Sequence, residues 1–539
     1  MCGIICSLRA GCRCDTDNTT GPDDAFRDLL ERLKVANAAR GPDVQESHRV
    51  RVQGACQCDS GEAQMSSPIK TRGLDLEFFA SELRLRGDAP IVQPHQQDGD
   101  VFCWNGEVFE GLSVNVDEND GTKLFQSIRS LSAMDDLPLL LGKIEGPDTS
   151  LEELSTEGIF CLDVGKMCES NEVARNFDSS LSYIPRHTDQ QSLPFAKLSR
   201  VNTAFPPDAP PFVLSLDSAI LPHELAIAYR RLRRGRHRSQ FLFSGGIDST
   251  MLAFLAHRHV PLDEPIDLLN VAFENPRKIQ VQTDGNMGAI PKREKKRRLK
   301  ATEQNGSMKE STPYMVPDRV TGLQEVEELR QLCQGRTWNF ESQSARAAVE
   351  AIMFPGRTVM DLSLAMALYF ASKGVGRVRI SAVSDDYQPY ASTARVLLNG
   401  LGSDELLGGY GRHRTVYATR GWQGVIDELQ LELDRIPTRN LGRDDRVISS
   451  HGKETRHPFL SLTVVSFLAG LPVHLKLDPR LELGLGDKML LRLAARKVGL
   501  LEASARKKRA MQFGSHSARM EGGEGERRGD LTIRAVSEQ

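Results

Sequence analysis

The sequence predicts two domains of different class, an α+β domain at the front and an α/β domain built on a parallel sheet behind it. Three observations carry this. At 539 residues the chain exceeds the size at which one hydrophobic core keeps growing. The first 175 or so residues read as short alternating strands separated by Gly/Asp turns. After about residue 218, helices and strands alternate, which is the pattern of a parallel sheet with helices on both faces.

In chain order, "CGIICSLRA" reads as a strand, and "DAFRDLLERLKVANAAR" as a helix with Phe26, Leu29, Leu30 and Leu33 at helical spacing, stopped by "GPD". "VFCWNGEVFEGL" and "GIFCLDV" read as further strands. The stretch His187–Phe212 is rich in Pro, Ser and Thr and reads as a linker. Beyond it, "LPHELAIAYRRLRRGRHR" is helical, "SQFLF" a buried strand and "DSTMLAFLAHRH" a helix. "PIDLLNVAF" is the next strand, "AVEAIMFP" and "LSLAMALYFASKG" are helices, and "ARVLLNG" is a strand again. A polar interruption, about 276–315, contains the basic run Pro291–Thr312 and cannot form a core. The tail 519–539 also reads as disordered.

Composition excludes several functions. Net charge is −3, which gives no reason to expect a nucleic-acid or acidic-lipid partner. The basic run has no interleaved aromatics and reads as a solvated loop. No run of 18 or more apolar residues suggests a membrane span, and the apolar patch at "MCGIICSLRAG" is too short for a secretory signal, so the expected compartment is the cytoplasm. Nine of the ten cysteines fall in the first 168 residues. The pairs Cys12/Cys14 and Cys56/Cys58 are spaced more tightly than structural zinc ligands and read as reduced thiols.

Three stretches carry chemistry. Removal of Met1 would leave Cys2 with a free α-amino group of pKa about 8 beside its own thiol, able to act as the base that makes thiolate. In "WNGEVFEG", Asn105-Gly106 offers an amide donor and a backbone N–H, or else a hairpin turn. In "FLFSGGIDSTMLAFLAH", a buried strand ends in Ser244-Gly245-Gly246 and opens into a helix carrying Asp248 and Ser249. Glycines let the backbone approach an anion, hydroxyls add donors, and the helix start supplies partial positive charge. Asp248 cannot favour phosphate itself, so its expected job is to hold Mg²⁺ against it. The Lys-Ser/Thr ending of a Walker A loop is missing.

"MCGI", "ARGPD" and "WNGEVFEG" resemble the class II, N-terminal-nucleophile glutamine amidotransferases, and "SGGIDS" resembles the pyrophosphate loop of the ATP pyrophosphatases. Together with "GLGSDELLGGY" and "ETRHPFL", they make nearly the whole chain similar to the asparagine synthetase family. The resemblance implies an Ntn-hydrolase-like αββα glutaminase domain over residues 2–186. A linker over 187–217 would follow, then an ATP pyrophosphatase (adenine nucleotide alpha hydrolase-like) domain over 218–518. It implies Cys2 as nucleophile and Asn105 and Gly106 as the oxyanion hole. Asp120 would hold the glutamine amine, Glu107 would be a further substrate-binding residue, and Arg84 or Arg86 would replace the family's carboxylate clamp, whose place Leu83 occupies. It implies ATP and Mg²⁺, with Ser244, Gly245, Gly246, Asp248, Ser249, Gly400, Gly402 and Asp404 around pyrophosphate and the metal between Asp248 and Asp404. A late cation from Lys507, Lys508 or Arg509 would reach phosphate, with Lys508 the choice in the middle of the run. The implied partners are glutamine, ATP and aspartate, with no membrane or nucleic acid; a homo-oligomer or protein partners stay open.

One residue departs from the implied chemistry. Leu401 stands where the synthetases carry a glutamate that takes a proton as ammonia attacks. Leucine has no acceptor, and a missing general base costs about 10²–10⁴-fold in rate. Two readings follow, a glutamine-dependent amide ligase and a degenerate homologue that binds nucleotide and acts through partners.

Overall fold

The computed structural model describes residues 3–12, 22–55, 71–86, 92–109, 111–115, 117–131, 158–167, 179–185, 205–206, 225–228, 238–273, 316–341, 349, 352, 358–379, 387–511 and 515. Cys2, Cys14, Cys56, Cys58, the interruption 276–315 and the tail 519–539 lie outside these residues, as does the linker 187–217 apart from Phe205 and Pro206. By its contacts the chain divides into two compact units. The first is Met1–Arg200 with Arg231–His237 and Ser449–Glu454; the second is Val201–Arg230, Arg238–Ile448 and Thr455–Gln539.

In the first unit, β1 (Gly3–Cys12), β2 (Val44–Ala55) and β3 (Thr71–Glu82) form an antiparallel sheet in the order β1-β3-β2. Leu74 and Leu76 alternate with Asp75 and Glu77 on the central strand, so one face is apolar, and it packs on Leu8, Val52 and Met167. Helix α1 (Pro22–Ala38) buries Leu30 and pairs Lys34 with Glu77 at 2.6 Å. Phe26, Leu29 and Leu33, expected on its core face, are exposed, because the Leu30–Lys34 face is the one turned to the sheet.

A small hairpin, β4 (His95–Gln97) and β5 (Asp100–Phe102), turns through Asp98-Gly99, both at positive φ (50° and 90°). This is the chemistry of a tight hairpin turn. The Asn105-Gly106 pair, for which a hairpin turn was the bland expectation, follows the hairpin as an irregular bend with no strand after it among the described residues. Next come α2 (Asp120–Arg129) and the antiparallel pair β6 (Gly158–Leu162) and β7 (Leu181–Pro185). Asn119 caps α2 by accepting from the Thr122 amide at 3.0 Å.

The second unit holds a five-stranded sheet in the order β10 (Trp338–Glu341), β9 (Ile266–Leu269), β8 (Ser239–Leu242), β13 (Val396–Leu398), β14 (Glu454–Arg456, of which Thr455 and Arg456 belong to this unit). Strands β8, β9, β10 and β13 are mutually parallel. Strands β11 (Val375–Arg379) and β12 (Tyr387–Ala391) form a separate antiparallel pair that the sequence pattern does not anticipate. Its helices include α3 (Ile247–His257), α4 (Pro317–Leu332), α5 (Val359–Lys373), α6 (Ser403–Leu407), α7 (Gly411–Ile436) and α8 (Met489–Lys497). Leu362, Met366 and Phe370 of α5 pack on Leu269, Phe273 and Leu397 to form the main core. The chain runs outward from β8 to β9 and β10, then returns to the other side of β8 as β13. That reversal is a topological switch point, where the loops after two neighbouring strands diverge and leave a crevice at their carboxyl ends. Among the described residues, no helix is long and apolar enough to cross a membrane.

Candidate functional site

The loop after β8 and the loop after β13 both lie at this switch point, and the sequence dictates how each is shaped. Gly245 has φ +70, and a Cβ there would collide with the backbone of Thr321 and Gly322 on α4. Only glycine meets both demands. Thr321 Oγ1 donates to Ser244 O at 3.0 Å, and Asn270 Nδ2 donates to Phe243 O at 3.0 Å, so the loop is held from behind. Gly246 caps α3, while the Ser249 and Thr250 hydroxyls donate back to Gly246 O at 3.1 and 2.9 Å. The second loop closes on the first: a Cβ on Gly400 would lie 2.8 Å from Asp248 Cβ. Gly402, at φ +93, is packed against Leu460. The glycines therefore do not merely permit the turns; they let two loops touch.

Four charges meet where the loops meet. Lys488 Nζ donates to both oxygens of Asp248 at 2.8 and 2.7 Å and to Ser403 Oγ at 3.0 Å, and pairs with Asp404 Oδ1 at 2.8 Å. Lys508 reaches the other oxygen of Asp404. Burial alone would push Asp404 up and Lys488 down. The two lysines instead hold Asp404 well below the carboxylate range, and the two carboxylates hold Lys488 above the usual ammonium range. Asp404 and Lys488 thus hold each other in their charged forms.

Lys508 of the three late cations is the one on Asp404; Arg509 and then Lys508 also pull on Asp318, a carboxyl of α4 that burial raises to about 7. Lys488 is absent from the sequence-derived residues. It is 1% exposed, stands at φ +50 and caps the start of α8. A cation at a helix start opposes the helix dipole, and a bulky residue at positive φ stores strain. That electrostatic misfit in "GDKMLL" was the available signal.

Beneath the tip of the second loop, Asn399 Oδ1 accepts from the Leu401 amide at 2.9 Å and meets His457 Nδ1 at 2.8 Å. The Leu401 N–H can only donate, so this atom is the carbonyl oxygen and His457 Nδ1 must carry the proton toward it. Burial lowers His457 to about 4, which keeps the imidazole neutral.

The first unit presents a different arrangement. Arg86, Gln93, Trp104, Gly106, Glu107 and Asp120 line one small polar pocket. Arg86 Nε pairs with Glu107 Oε1 at 2.6 Å, both side chains buried, and Arg86 Nη2 has no hydrogen-bond partner among the described residues. Asp120 accepts from the Val108 amide at 2.8 Å and its own helix's Gly121 amide at 2.9 Å. Burial raises it, against the opposing pull of Arg86 and these amides. Trp104 N donates to Gln93 Oε1 at 2.7 Å and its ring packs over Gly106, which fixes the bend carrying Asn105. Of the two arginines left open by spacing, Arg86 lines the pocket. Arg84 does not: its Nε lies 3.7 Å from Glu82 and its amide donates to Asp43 at 2.7 Å. Gly3, the neighbour of Cys2 in sequence, pairs with Ser81, whose hydroxyl accepts its amide at 3.0 Å.

The asparagine synthase family model matches residues 415–533. An asparagine synthetase domain-containing protein 1 of Mus musculus is 31% identical over 648 aligned residues, covering 97% of each chain. Its Homo sapiens counterpart is 31% identical, covering 97% of this chain and 96% of its own. An asparagine synthetase domain-containing protein of Drosophila melanogaster is 38% identical over 51% of this chain and 44% of its own.

Proposed function

The chain belongs to the asparagine synthetase domain-containing protein 1 family, and we propose that it is a glutamine-dependent, ATP-driven amide ligase of the asparagine synthetase type. The observation that carries this reading is the meeting of Asp248, Asp404, Lys488 and Lys508 at the switch point of a parallel sheet. In open α/β sheets this is where a nucleotide lies. The amides of residues 244–246 and the start of α3 suit pyrophosphate, and Ser244 and Ser249 add hydroxyls. Lys488 and Lys508 supply positive charge to the phosphates as they separate.

Mg²⁺ fits the donor set. The Asp248 and Asp404 carboxylates already converge on one cation, the Lys488 ammonium. Among the described residues no group of three or more His, Cys, Asp or Glu is close enough to hold a metal alone. A bound Mg²⁺ would therefore complete its shell with phosphate oxygens and water, and would offset charge on the phosphates. In the reaction, the side-chain carboxylate of aspartate attacks the α-phosphorus of ATP, pyrophosphate leaves, and ammonia displaces AMP from the acyl-adenylate. Glycines 400 and 402 shape the second loop so that Asp404 can work beside Asp248.

Ammonia would come from glutamine hydrolysed at Cys2, with Asn105 and Gly106 stabilising the tetrahedral oxyanion. Arg86 is the arginine we assign to the glutamine carboxylate, because its Nη2 is a buried donor without a partner among the described residues. A group in that state gains from a ligand what it lost on burial. Glu107 and Asp120 then face the glutamine ammonium.

Leu401 favours a second reading, in which the chain binds nucleotide but does not finish the reaction and acts through protein partners. The ligase reading requires pyrophosphate release that depends on aspartate, ATP and Mg²⁺ together. Folded protein that releases none under those conditions is not a ligase of this type. If the wild type releases pyrophosphate without forming asparagine and Leu401→Glu gains asparagine formation, the pathway is intact and only its base was lost.

A further inference from the structure

The ligase reading leaves one proton without a destination, and the geometry beneath Leu401 offers one. Four observations converge on His457. It shares a single acceptor atom, Asn399 Oδ1, with the backbone amide of Leu401, at 2.8 and 2.9 Å respectively. It is therefore joined, by two hydrogen bonds to one shared oxygen, to the residue that occupies the glutamate's place. The same contact fixes its tautomer: Nδ1 carries the hydrogen, which leaves Nε2 with its lone pair.

Nε2 has no hydrogen-bond partner among the described residues, and it is not one of the unpartnered atoms sealed from solvent. The ring is half-buried and neutral, so that lone pair is available as a base. The electrostatic surroundings do not compete, since burial is the sole resolved influence on the ring. Finally, the turn that carries His457 is fixed to the loop it would serve: Leu460, at the end of the 3₁₀ turn Pro458–Leu460, packs on Gly402.

We propose that His457 Nε2 is the general base that replaces the missing glutamate. Ammonia attacks the acyl carbon of the aspartyl-adenylate, a C–N bond forms, and the C–O bond to AMP breaks. The proton lost by the new ammonium group passes to Nε2, giving an imidazolium that returns it to solvent. Asn399 is a positioning residue: it holds the ring through Nδ1 and the Leu401 loop through the same oxygen. The basic side chain has thus moved from the tip of the second loop to the turn beneath it, where "ETRHPFL" puts histidine before the proline.

The inference rests on the ligase reading, and two assays on the full-length chain separate them. Aspartate-dependent ATP–pyrophosphate exchange reports adenylation alone. Asparagine formation from ammonium chloride reports the attack and bypasses the glutaminase domain. His457→Asn keeps an N–H donor for Asn399 and removes the base. Asparagine formation should then fall about 100-fold or more while exchange stays within twofold, and adding Leu401→Glu to this variant should restore it at least tenfold.

Unchanged asparagine formation in His457→Asn would overturn the proposal and leave the ligase reading standing. Exchange in the wild type without asparagine formation would also overturn it, since a working base would then be absent. No exchange in the wild type would overturn both. His457→Gln, which places its amide nearer Nε2 than Nδ1, guards against a folding artefact. It should lose asparagine formation too, with a thermal melt that shows folded protein; full activity in it would overturn the base role.

Discussion

The two candidate sites hold their charges in opposite ways. In the first unit one buried pair, Arg86 with Glu107, sits in a pocket made of irregular backbone between β3 and α2. In the second, two carboxylates and two ammoniums meet at strand ends and helix starts, with Lys488 1% exposed at the centre. Arg86 balances Glu107 and pulls on Asp120, while its Nη2, unpartnered among the described residues, leaves hydrogen-bonding capacity for a ligand. The four-charge cluster is balanced only as a set, and any anion or cation entering it must displace a lysine from a carboxylate. The first arrangement suits a small zwitterion, the second a metal–polyphosphate.

The largest effect that tests this difference is Lys488→Met. It leaves Asp248 and Asp404 facing each other without their shared cation, and should cost about 5 kcal/mol, the upper end for breaking a buried ion pair. Urea denaturation measures it, and a loss under about 1 kcal/mol would mean the cluster is not held as a set. Arg86→Met strands the Glu107 carboxylate and removes the pull on Asp120, and should cost about 3 kcal/mol. Arg86→Met with Glu107→Leu should recover at least about 1 kcal/mol of that loss, because the stranded carboxylate is gone. A double variant as unstable as the single would show that the loss does not come from the Arg86–Glu107 pair.

Smaller effects follow from the surrounding shell. Glu325 of α4 is fully buried beside Arg506 at 2.7 Å, and burial, then Glu328, raises it from its ordinary 4.5 to about 8. The folded state therefore keeps this proton longer than the unfolded chain does. Its contribution is fully present below pH 4.5 and is lost as pH rises toward 8. Glu325→Gln should gain about 1–2 kcal/mol on the wild type between those limits, and a pH-independent difference would refute the burial argument. Asn119→Ala removes the cap of α2 beside Asp120, and a loss of about 1 kcal/mol in thermal unfolding is expected.

What could be read from sequence was the local part of each site. "FLFSGGIDS" declares itself, since the strand, glycines, hydroxyls and helix start are consecutive and their chemistry needs no distant partner. Lys488 was not legible because it meets Asp248 across 240 residues of chain. Arg84 and Arg86 could not be separated by spacing: β3 ends at Glu82, and the alternation that tells one face from the other ends with it. The helical stripe of α1 misled in a similar way. Periodicity marks an apolar face, yet a charged contact, Lys34 with Glu77, decided which face met the sheet. His457 was visible as a residue in "ETRHPFL" but carried no meaning until Asn399 and Leu401 were placed beside it.

Aspartate-dependent ATP–pyrophosphate exchange on the full-length chain tests the central claim most directly. The wild type should exchange, Arg86→Met should exchange equally, and Asp404→Asn should lose at least about 100-fold. No exchange in folded wild-type protein, or equal exchange in Asp404→Asn, would contradict the assignment of the charge cluster to ATP-driven adenylation.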